Sequence, residues 1–129
     1  MRHWSAPGPI LALALTTGGL GGCGDTNVSP APVAGGDPGR GRTVIADLGC
    51  GACHVIPGVA WPRGRVGPSL EGFGDRSLIA GRFPNRPDIL IRWVRDAPSL
   101  SPQTGMPAMP LTEPEARDVA AYLYTLDAR

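Results

Sequence analysis

The sequence predicts an all-α domain with three to four helices and long loops. Apolar residues recur three and four positions apart in three segments between residues 39 and 126, as on one face of a helix. No segment alternates apolar and polar residues as a half-buried strand does. Glycine and proline, at 19 and 15 of the 129 residues, are concentrated outside these segments, where they favour loops.

Residues 1–22 predict an export signal that ends at a lipidated Cys23. Arg2 supplies a positive start, and Ile10–Leu15 is an apolar stretch too short to span a membrane. The Leu-Gly-Gly-Cys sequence that ends at Cys23 resembles a bacterial lipobox, whose cysteine receives a diacylglyceryl group. The alternative is an ordinary signal peptide, which would leave Cys23 unmodified or remove it.

A flexible tether is expected from Cys23 to residue 38, before a folded domain over residues 39–129. Glycine, proline, alanine, serine and asparagine make up most of the tether, and such side chains bury too little apolar surface to fold. The tether would therefore hold the domain close to a membrane.

The first helix is expected over Gly39–Leu48. Gly41, Val44, Ile45 and Leu48 follow helical spacing and share one face. The glycine on this face permits a close crossing with another helix, because it lacks a side chain.

The middle of the chain predicts a loop over residues 54–76, with room for a short helix around Ser77–Gly81. The next helix is expected to use Asn85 as its N-cap, to carry Pro87 in its first turn and to end before Pro98.

The last helix opens with Thr112 and Glu115, which have the spacing of a capping box. Val119, Tyr122 and Leu123 then recur on one face of this helix.

The segment Cys50–His54 has the C-x-x-C-H pattern that attaches a c-type haem. Two thiols three residues apart can add to the two haem vinyl groups, and the imidazole of His54 can bind the iron. A redox dithiol would need a strand–helix–strand setting, and a zinc site needs four ligands. The other cysteine and histidine, Cys23 and His3, lie in the leader. We therefore expect one covalent haem, around which the long loops wrap.

An iron held by His54 needs a second axial ligand or stays open to small molecules. Met106 and Met109, in the loop before the last helix, are the sulfur candidates outside the leader. Either methionine can instead fill the core.

These features together resemble a class I monohaem cytochrome c of the lipoprotein-anchored bacterial type, with its small all-α fold. The resemblance covers about Gly39 to Leu126 and is carried by four motifs: Cys50–His54, Gly67-Pro68, Met106-Pro107 and Ala120–Tyr124.

The resemblance implies roles for individual residues. Cys50 and Cys53 would carry haem c, His54 would be the proximal ligand, and Pro68 would accept a hydrogen bond from its imidazole. Met106 matches the family's ligating methionine, which is followed by proline, and we expect Met109 to pack. The crossing of the first and last helices would involve Gly41 and Tyr122.

The resemblance also implies an electron carrier and not an enzyme. We expect it on the periplasmic side of a bacterial membrane, passing single electrons between a quinol-oxidising complex or dehydrogenase and a terminal oxidase. Two alternatives stay open: a cytochrome c subunit fixed within a larger oxidoreductase, and a haem enzyme or gas sensor with an open iron site. A formal net charge of +1 gives no electrostatic footprint for nucleic acid.

Two further groups of side chains bear on the haem. Trp61 and Trp93 are expected either to wall its pocket or to pack in the core. Arginines outnumber acids between residues 63 and 95, and if they cluster at the haem edge they would steer docking onto an acidic partner.

Overall fold

The computed structural model describes Met1 and residues 33–127, so the predicted export signal, His3 and the predicted lipidation site Cys23 lie outside the described residues. Within that part of the chain, no helix is long and apolar enough to cross a membrane.

Helices are the main regular secondary structure of the described residues, and the all-α prediction is confirmed. The α-helices are α1 (Pro38–Asp47), α2 (Pro87–Arg95), α3 (Ala97–Leu100) and α4 (Glu113–Leu123). Two single 3₁₀ turns, Cys50–Ala52 and Phe73–Asp75, and two short antiparallel strands, β1 (Leu78–Ile79) and β2 (Phe83–Pro84), complete the described elements.

The core lies where α1 and α2 pack against α4. Each of these helices contributes at least one side chain that is no more than 1% exposed, including Ile45 from α1, Leu90 from α2 and Ala120 from α4. The loops add Ile56, Phe73 and Leu126 to the same cluster.

The helix α4 begins as predicted. The Thr112 hydroxyl accepts from the Glu115 backbone N–H at 3.5 Å, and the Glu115 carboxylate accepts from the Thr112 backbone N–H at 2.8 Å. This reciprocal pair satisfies two backbone donors that the first turn of a helix leaves free.

The short helix expected around Ser77–Gly81 is wrong, because the chain forms a hairpin there. Ile79 pairs with Phe83, and the connecting residues Ala80 and Gly81 have φ angles of 50° and 68°. Two consecutive left-handed residues reverse the chain and cannot continue a right-handed helix.

The predicted N-cap of α2 is also wrong. Arg86 occupies the cap position without a side-chain hydrogen bond, whereas Asn85 donates to the carbonyls of Phe73 and Arg76 at 3.2 and 2.8 Å. The Asn85 amide oxygen accepts from the Tyr124 hydroxyl at 3.0 Å. The Asn85 side chain, which the local sequence assigned to capping, therefore forms its hydrogen bonds with residues outside α2.

The end of α2 falls before the predicted stop at Pro98. The helix ends at Arg95, and Asp96 accepts a hydrogen bond from the Ser99 N–H to cap α3. Pro98 therefore lies in the first turn of a new helix, where its missing N–H costs no hydrogen bond.

Val33, the first residue after the undescribed segment, is already buried. Val33 is 1% exposed, and a Cβ on Gly36 would lie 2.7 Å from the Arg117 carbonyl oxygen of α4. Of the residues assigned from their composition to the tether, Gly36 and Asp37 therefore contact the last helix, which offers them a surface that composition does not show.

The crossing of α1 and α4 is as close as Gly41 suggested. A Cβ at this position would lie 1.9 Å from the Asp118 carbonyl oxygen, so the two backbones touch with no side chain between them. The predicted crossing at Gly41 is confirmed. Tyr122, the other residue assigned to it, is 9% exposed, and its hydroxyl donates to the Pro57 carbonyl at 2.6 Å; its part in the crossing stays a prediction.

An ion pair beside this crossing was not predicted. The Asp118 side chain, 7% exposed, accepts from the Arg40 Nε at 2.8 Å and from the Asp37 backbone N–H at 2.7 Å. The hydrogen bond from Arg40 holds the pKa of the Asp118 carboxyl below its usual value. Nothing in the sequence around Asp118 indicates that its partner is Arg40, which lies 78 residues earlier in the chain.

We predict that Asp118 makes the domain acid-sensitive. Because its pKa is lowered on folding, its contribution to stability is complete above the pKa of an unfolded aspartate and is lost as pH falls through the folded-state pKa. The Asp118→Asn variant should lose on the order of 1–3 kcal/mol of unfolding free energy at pH 7 and progressively less towards pH 3. Denaturant unfolding of the haem-loaded protein at each pH measures this difference.

The matched control is Asp47→Asn, which removes one exposed carboxylate from the last residue of α1. A pH-independent difference between wild type and Asp118→Asn, or an equal effect of Asp47→Asn, would contradict the prediction.

Candidate functional site

The attachment segment, Cys50–His54, follows directly from the end of α1. Gly49 takes a left-handed φ of 68°, which stops the helix and starts the 3₁₀ turn at Cys50. The backbone N–H groups of Cys53 and His54 both donate to the Cys50 carbonyl, at 3.2 and 3.1 Å. One turn thus brings the two thiols and the imidazole together, as haem attachment requires.

The setting of the Cys50 thiol does not favour redox chemistry. Both thiols are free and partly buried, and Cys50 packs against the core. Burial raises the pKa of the Cys50 thiol above its usual value, although a backbone hydrogen bond opposes this rise, and the nearby Cys53 adds a smaller increase. Redox dithiols depend on a lowered thiol pKa, so this environment disfavours that alternative.

The imidazole of His54 is held in one orientation. Its Nδ1 lies 2.7 Å from the Pro68 carbonyl oxygen. A carbonyl can only accept, so Nδ1 carries the proton and Nε2 keeps the lone pair that can bind a metal. The expected hydrogen bond to Pro68 is present; the ligand role of His54 stays a prediction.

Gly67 completes the support of this ring. Its N–H donates to the Cys53 carbonyl at 2.8 Å, and a Cβ on Gly67 would lie 2.4 Å from the His54 Cε1 atom. The backbone of the Gly67-Pro68 loop therefore packs directly on the imidazole.

An arginine that the sequence did not single out fixes this loop from its other end. Arg76 donates from Nη2 to the carbonyls of Ser69 and Glu71, at 2.6 and 2.9 Å, and its guanidinium lies 5.7 Å from the centre of the Phe73 ring. It thereby ties the residues after Pro68 to the core.

Two other side chains pin the loop that follows the attachment segment. The Tyr122 hydroxyl donates to Pro57, and the Arg42 Nε donates to the Gly58 carbonyl at 2.8 Å. A Cβ on Gly58 would lie 2.3 Å from the Tyr122 hydroxyl oxygen, so only glycine fits at this position. Nothing in the sequence indicated this contact, because Gly58 is one of several glycines in the loop.

The two candidate methionines lie in different settings. Both are partly buried and pack against the core. Met109 donates its N–H to the Arg95 carbonyl at 2.8 Å, which ties it to the end of α2, whereas the Met106 N–H donates only to the nearby Thr104 hydroxyl at 3.2 Å. Met106 as the second axial ligand stays a prediction.

The two tryptophans differ in exposure. Trp93 is 9% exposed and its ring centre lies 5.7 Å from that of Phe83, so it packs in the core. Trp61 is 83% exposed and is no part of the core.

The residues present fit a covalent haem. Cys50 and Cys53 offer two free sulfurs on one turn, and His54 next to them offers an oriented nitrogen. Among the residues that the structure describes, no group of three or more histidine, cysteine or acidic side chains is placed to hold a metal ion.

We predict that Gly67→Ala disturbs the His54 ring without removing any side chain from the site. The added methyl group would overlap the imidazole and should lower the unfolding free energy of the haem-loaded protein by about 1–3 kcal/mol and shift its reduction potential. Potentiometry and denaturant unfolding measure the two effects. The control is Gly39→Ala, whose Cβ would meet only the Asp37 carboxylate, at 3.2 Å. Equal reduction potentials in Gly67→Ala and Gly39→Ala would contradict the conclusion that Gly67 supports the His54 ring.

Comparison with known proteins agrees with this geometry. Residues 39–127 match the family model of cytochrome c. The chain is 35% identical over 88 residues to cytochrome c oxidase subunit 2 of Alkalihalophilus pseudofirmus, a match that covers 67% of this chain and 25% of that protein. The chain thus corresponds to about a quarter of the length of this curated relative.

Two solved structures share the fold. SoxXA from P. pantotrophus superposes with a TM-score of 0.56 at 26% identity, over 71% of this chain and 82% of that one. Cytochrome c2 from Rhodobacter sphaeroides superposes with a TM-score of 0.53 at 18% identity, over 73% of this chain and 98% of that one. With the thiols and imidazole of Cys50–His54 set on one turn, the family match shows that this chain belongs to the cytochrome c family and carries a covalent haem c.

Proposed function

We propose that this cytochrome c is a single-haem electron carrier, tethered by lipid to the periplasmic side of a bacterial membrane. It passes single electrons between a quinol-oxidising complex or dehydrogenase and a terminal oxidase. The observation that carries the proposal is the His54 imidazole, held by the Pro68 carbonyl at 2.7 Å beside two free thiols.

The chain's own residues would hold the cofactor and keep its surroundings rigid. Cys50 and Cys53 would form two thioethers, and His54 would present Nε2 to the iron. When bound, haem supplies the one-electron ferrous–ferric chemistry. Backbone contacts of Gly67 and the hydrogen bond to Pro68 prevent the imidazole from rotating, so it needs little rearrangement when the charge changes.

The second axial ligand distinguishes a carrier from an enzyme or gas sensor. A methionine sulfur raises the potential and closes the iron to small molecules. Met106 is favoured because the backbone of Met109 is tied to Arg95 of α2, while Met106 is tied only within its own loop.

The length of the proposed tether follows from the proposed lipidation of Cys23 and from the position of Val33, the first buried residue that the structure describes. Ten residue steps separate Cys23 from Val33, and a fully extended chain would span at most about 36 Å over them. A domain on such a tether stays at high local concentration near membrane partners.

A second candidate is a subunit fixed within a larger oxidoreductase. It is favoured by the similarity to the oxidase subunit of Alkalihalophilus pseudofirmus and by the similarity to the SoxXA structure. Stoichiometric co-purification of the protein with a larger complex would support this candidate over a free carrier.

We predict that Met106→Ala removes the sulfur-to-iron charge-transfer band of the oxidised protein and opens the reduced protein to carbon monoxide. Met109→Ala is the matched control and should keep the band, because it shortens a methionine of the same loop without touching the iron. Visible spectra of both variants in both redox states make the measurement. Loss of the band in Met109→Ala alone would reverse the assignment. Carbon monoxide binding to the wild-type protein would contradict a closed iron.

We predict that Cys23→Ser moves the haem-loaded protein from the membrane fraction to the soluble periplasmic fraction, since the thiol is the proposed site of lipid attachment. Haem staining of the separated fractions makes the measurement. An unchanged membrane fraction would contradict the lipid anchor while leaving the electron-carrier proposal intact.

A further inference from the structure

The Asn85 side chain joins separate parts of the described chain. Its Nδ2 donates to the carbonyls of Phe73 and Arg76, at 3.2 and 2.8 Å, and its Oδ1 accepts from the Tyr124 hydroxyl at 3.0 Å. Carbonyls can only accept, so the amide nitrogen must face them, and the orientation of the side chain follows from its partners. Both ends of the amide are therefore engaged, with a combination of donors and acceptor that neither a carboxylate nor an apolar side chain can supply.

The segment that Asn85 holds, Phe73–Arg76, also packs against the end of α4. The Gly74 N–H donates to the Leu126 carbonyl at 2.8 Å, and a Cβ on Gly74 would lie 2.7 Å from the Tyr124 carbonyl oxygen. Burial raises the pKa of the Tyr124 phenol, so its hydroxyl stays protonated and remains a donor at neutral pH. The segment is therefore fixed both to α4 and to the residues that lead into α2.

Arg76 extends from this segment to the loop that supports the imidazole of the attachment segment. Its backbone carbonyl accepts from Asn85, and its guanidinium donates to the Ser69 carbonyl at 2.6 Å. Ser69 directly follows Pro68, whose carbonyl oxygen lies 2.7 Å from the His54 Nδ1. Hydrogen bonds and short pieces of backbone thus form an unbroken series from the end of α4 to the ring.

The peptide between Pro68 and Ser69 determines how well the imidazole proton is held. Gly67 and Leu70 each donate their N–H to a backbone carbonyl at 2.8 Å, which fixes the loop on either side of this peptide. The hydrogen bond from Arg76 to the Ser69 carbonyl limits rotation between these two points. A carbonyl that accepts from the second ring nitrogen raises the basicity of a metal-bound histidine, so the alignment of this peptide affects how strongly the ring stabilises ferric iron.

We propose that Asn85 is a positioning residue for the proximal histidine and that it acts through Arg76 on the Pro68 carbonyl. The amide keeps the guanidinium in place, the guanidinium keeps the loop peptide aligned, and the aligned carbonyl holds the His54 proton. Loss of the amide weakens this last hydrogen bond, lowers the basicity of the ring and raises the reduction potential. The inference rests on His54 as the iron ligand of the proposed function.

The first experiment compares Asn85→Leu with the wild type as haem-loaded full chains. Leucine has a similar size and no hydrogen-bonding group, so this variant removes every bond of the amide. At a fixed solution potential near the wild-type midpoint, the ratio of reduced to oxidised protein should rise several-fold. The His54 Nδ1–H of the reduced protein should exchange with solvent several-fold faster. Spectroelectrochemistry and proton NMR measure the two effects. Tyr124→Phe, which removes a single bond, should change both in the same direction by a smaller factor.

Thr112→Ala is the control for a general loss of stability. It removes the capping box at the opposite end of α4 from Tyr124 and should leave the redox ratio and the exchange rate unchanged. An unchanged or lowered ratio in Asn85→Leu would overturn the proposal. An equal rise in Thr112→Ala would also overturn it.

The second experiment tests whether the effect passes through Arg76. In a double-mutant cycle, Asn85→Leu is introduced into an Arg76→Met background, which lacks the guanidinium. The redox ratio should then change little, because the connection to the loop is already broken. The charge that Arg76→Met removes is absent from both members of this comparison and cancels. An equal several-fold rise in both backgrounds would show that Asn85 reaches the haem by another route and would overturn the proposal.

These outcomes are distinct from those that test the proposed function. A wild-type protein that lacks the sulfur-to-iron charge-transfer band, or that binds carbon monoxide, would contradict the closed iron of the electron carrier. The redox comparison of Asn85→Leu with the wild type would still decide the positioning role in that protein. A wild-type protein that shows the band, with a redox ratio that Asn85→Leu does not change, would overturn the positioning role alone.

Discussion

The contact of α1 with α4 at Gly41 is the constraint on which the site depends. Because α1 runs into the attachment turn at Cys50, the position of that helix fixes where both thiols and the imidazole lie. Any side chain larger than hydrogen at Gly41 would separate the two backbones and move the whole turn. The buried Asp118 carboxylate beside this contact ties the start of α1 to α4 through Arg40 and the Asp37 N–H.

The remaining support of the site comes mostly from backbone groups. The orientation of His54 depends on the Pro68 carbonyl, and the loops on either side of it are attached through carbonyls of Gly51, Cys53 and Ser69. Glycines occur wherever these backbones approach most closely. A small domain with long loops thus gains rigidity from close backbone packing, and the covalent cofactor adds the apolar surface that a core of this size lacks.

Electron transfer is favoured by rigid surroundings of the haem and by access of a partner to the protein surface near it. An imidazole that cannot rotate keeps its environment when the charge on the cofactor changes. The most exposed aromatic side chain of the described residues, Trp61, lies in the loop whose Gly64 N–H donates to the Gly51 carbonyl of the attachment segment.

The sequence by itself determined the attachment residues, the all-α class and the capping box of α4, because each depends on residues that are close together along the chain. It also marked Gly41 for a crossing. Only the tertiary structure decided the partners of Asn85 and Asp118, the burial of Val33 and the exposure of Trp61. The partners of Asn85 lie 9 to 39 residues away and Arg40 lies 78 residues from Asp118, and no local pattern of polarity records which distant group a side chain will meet.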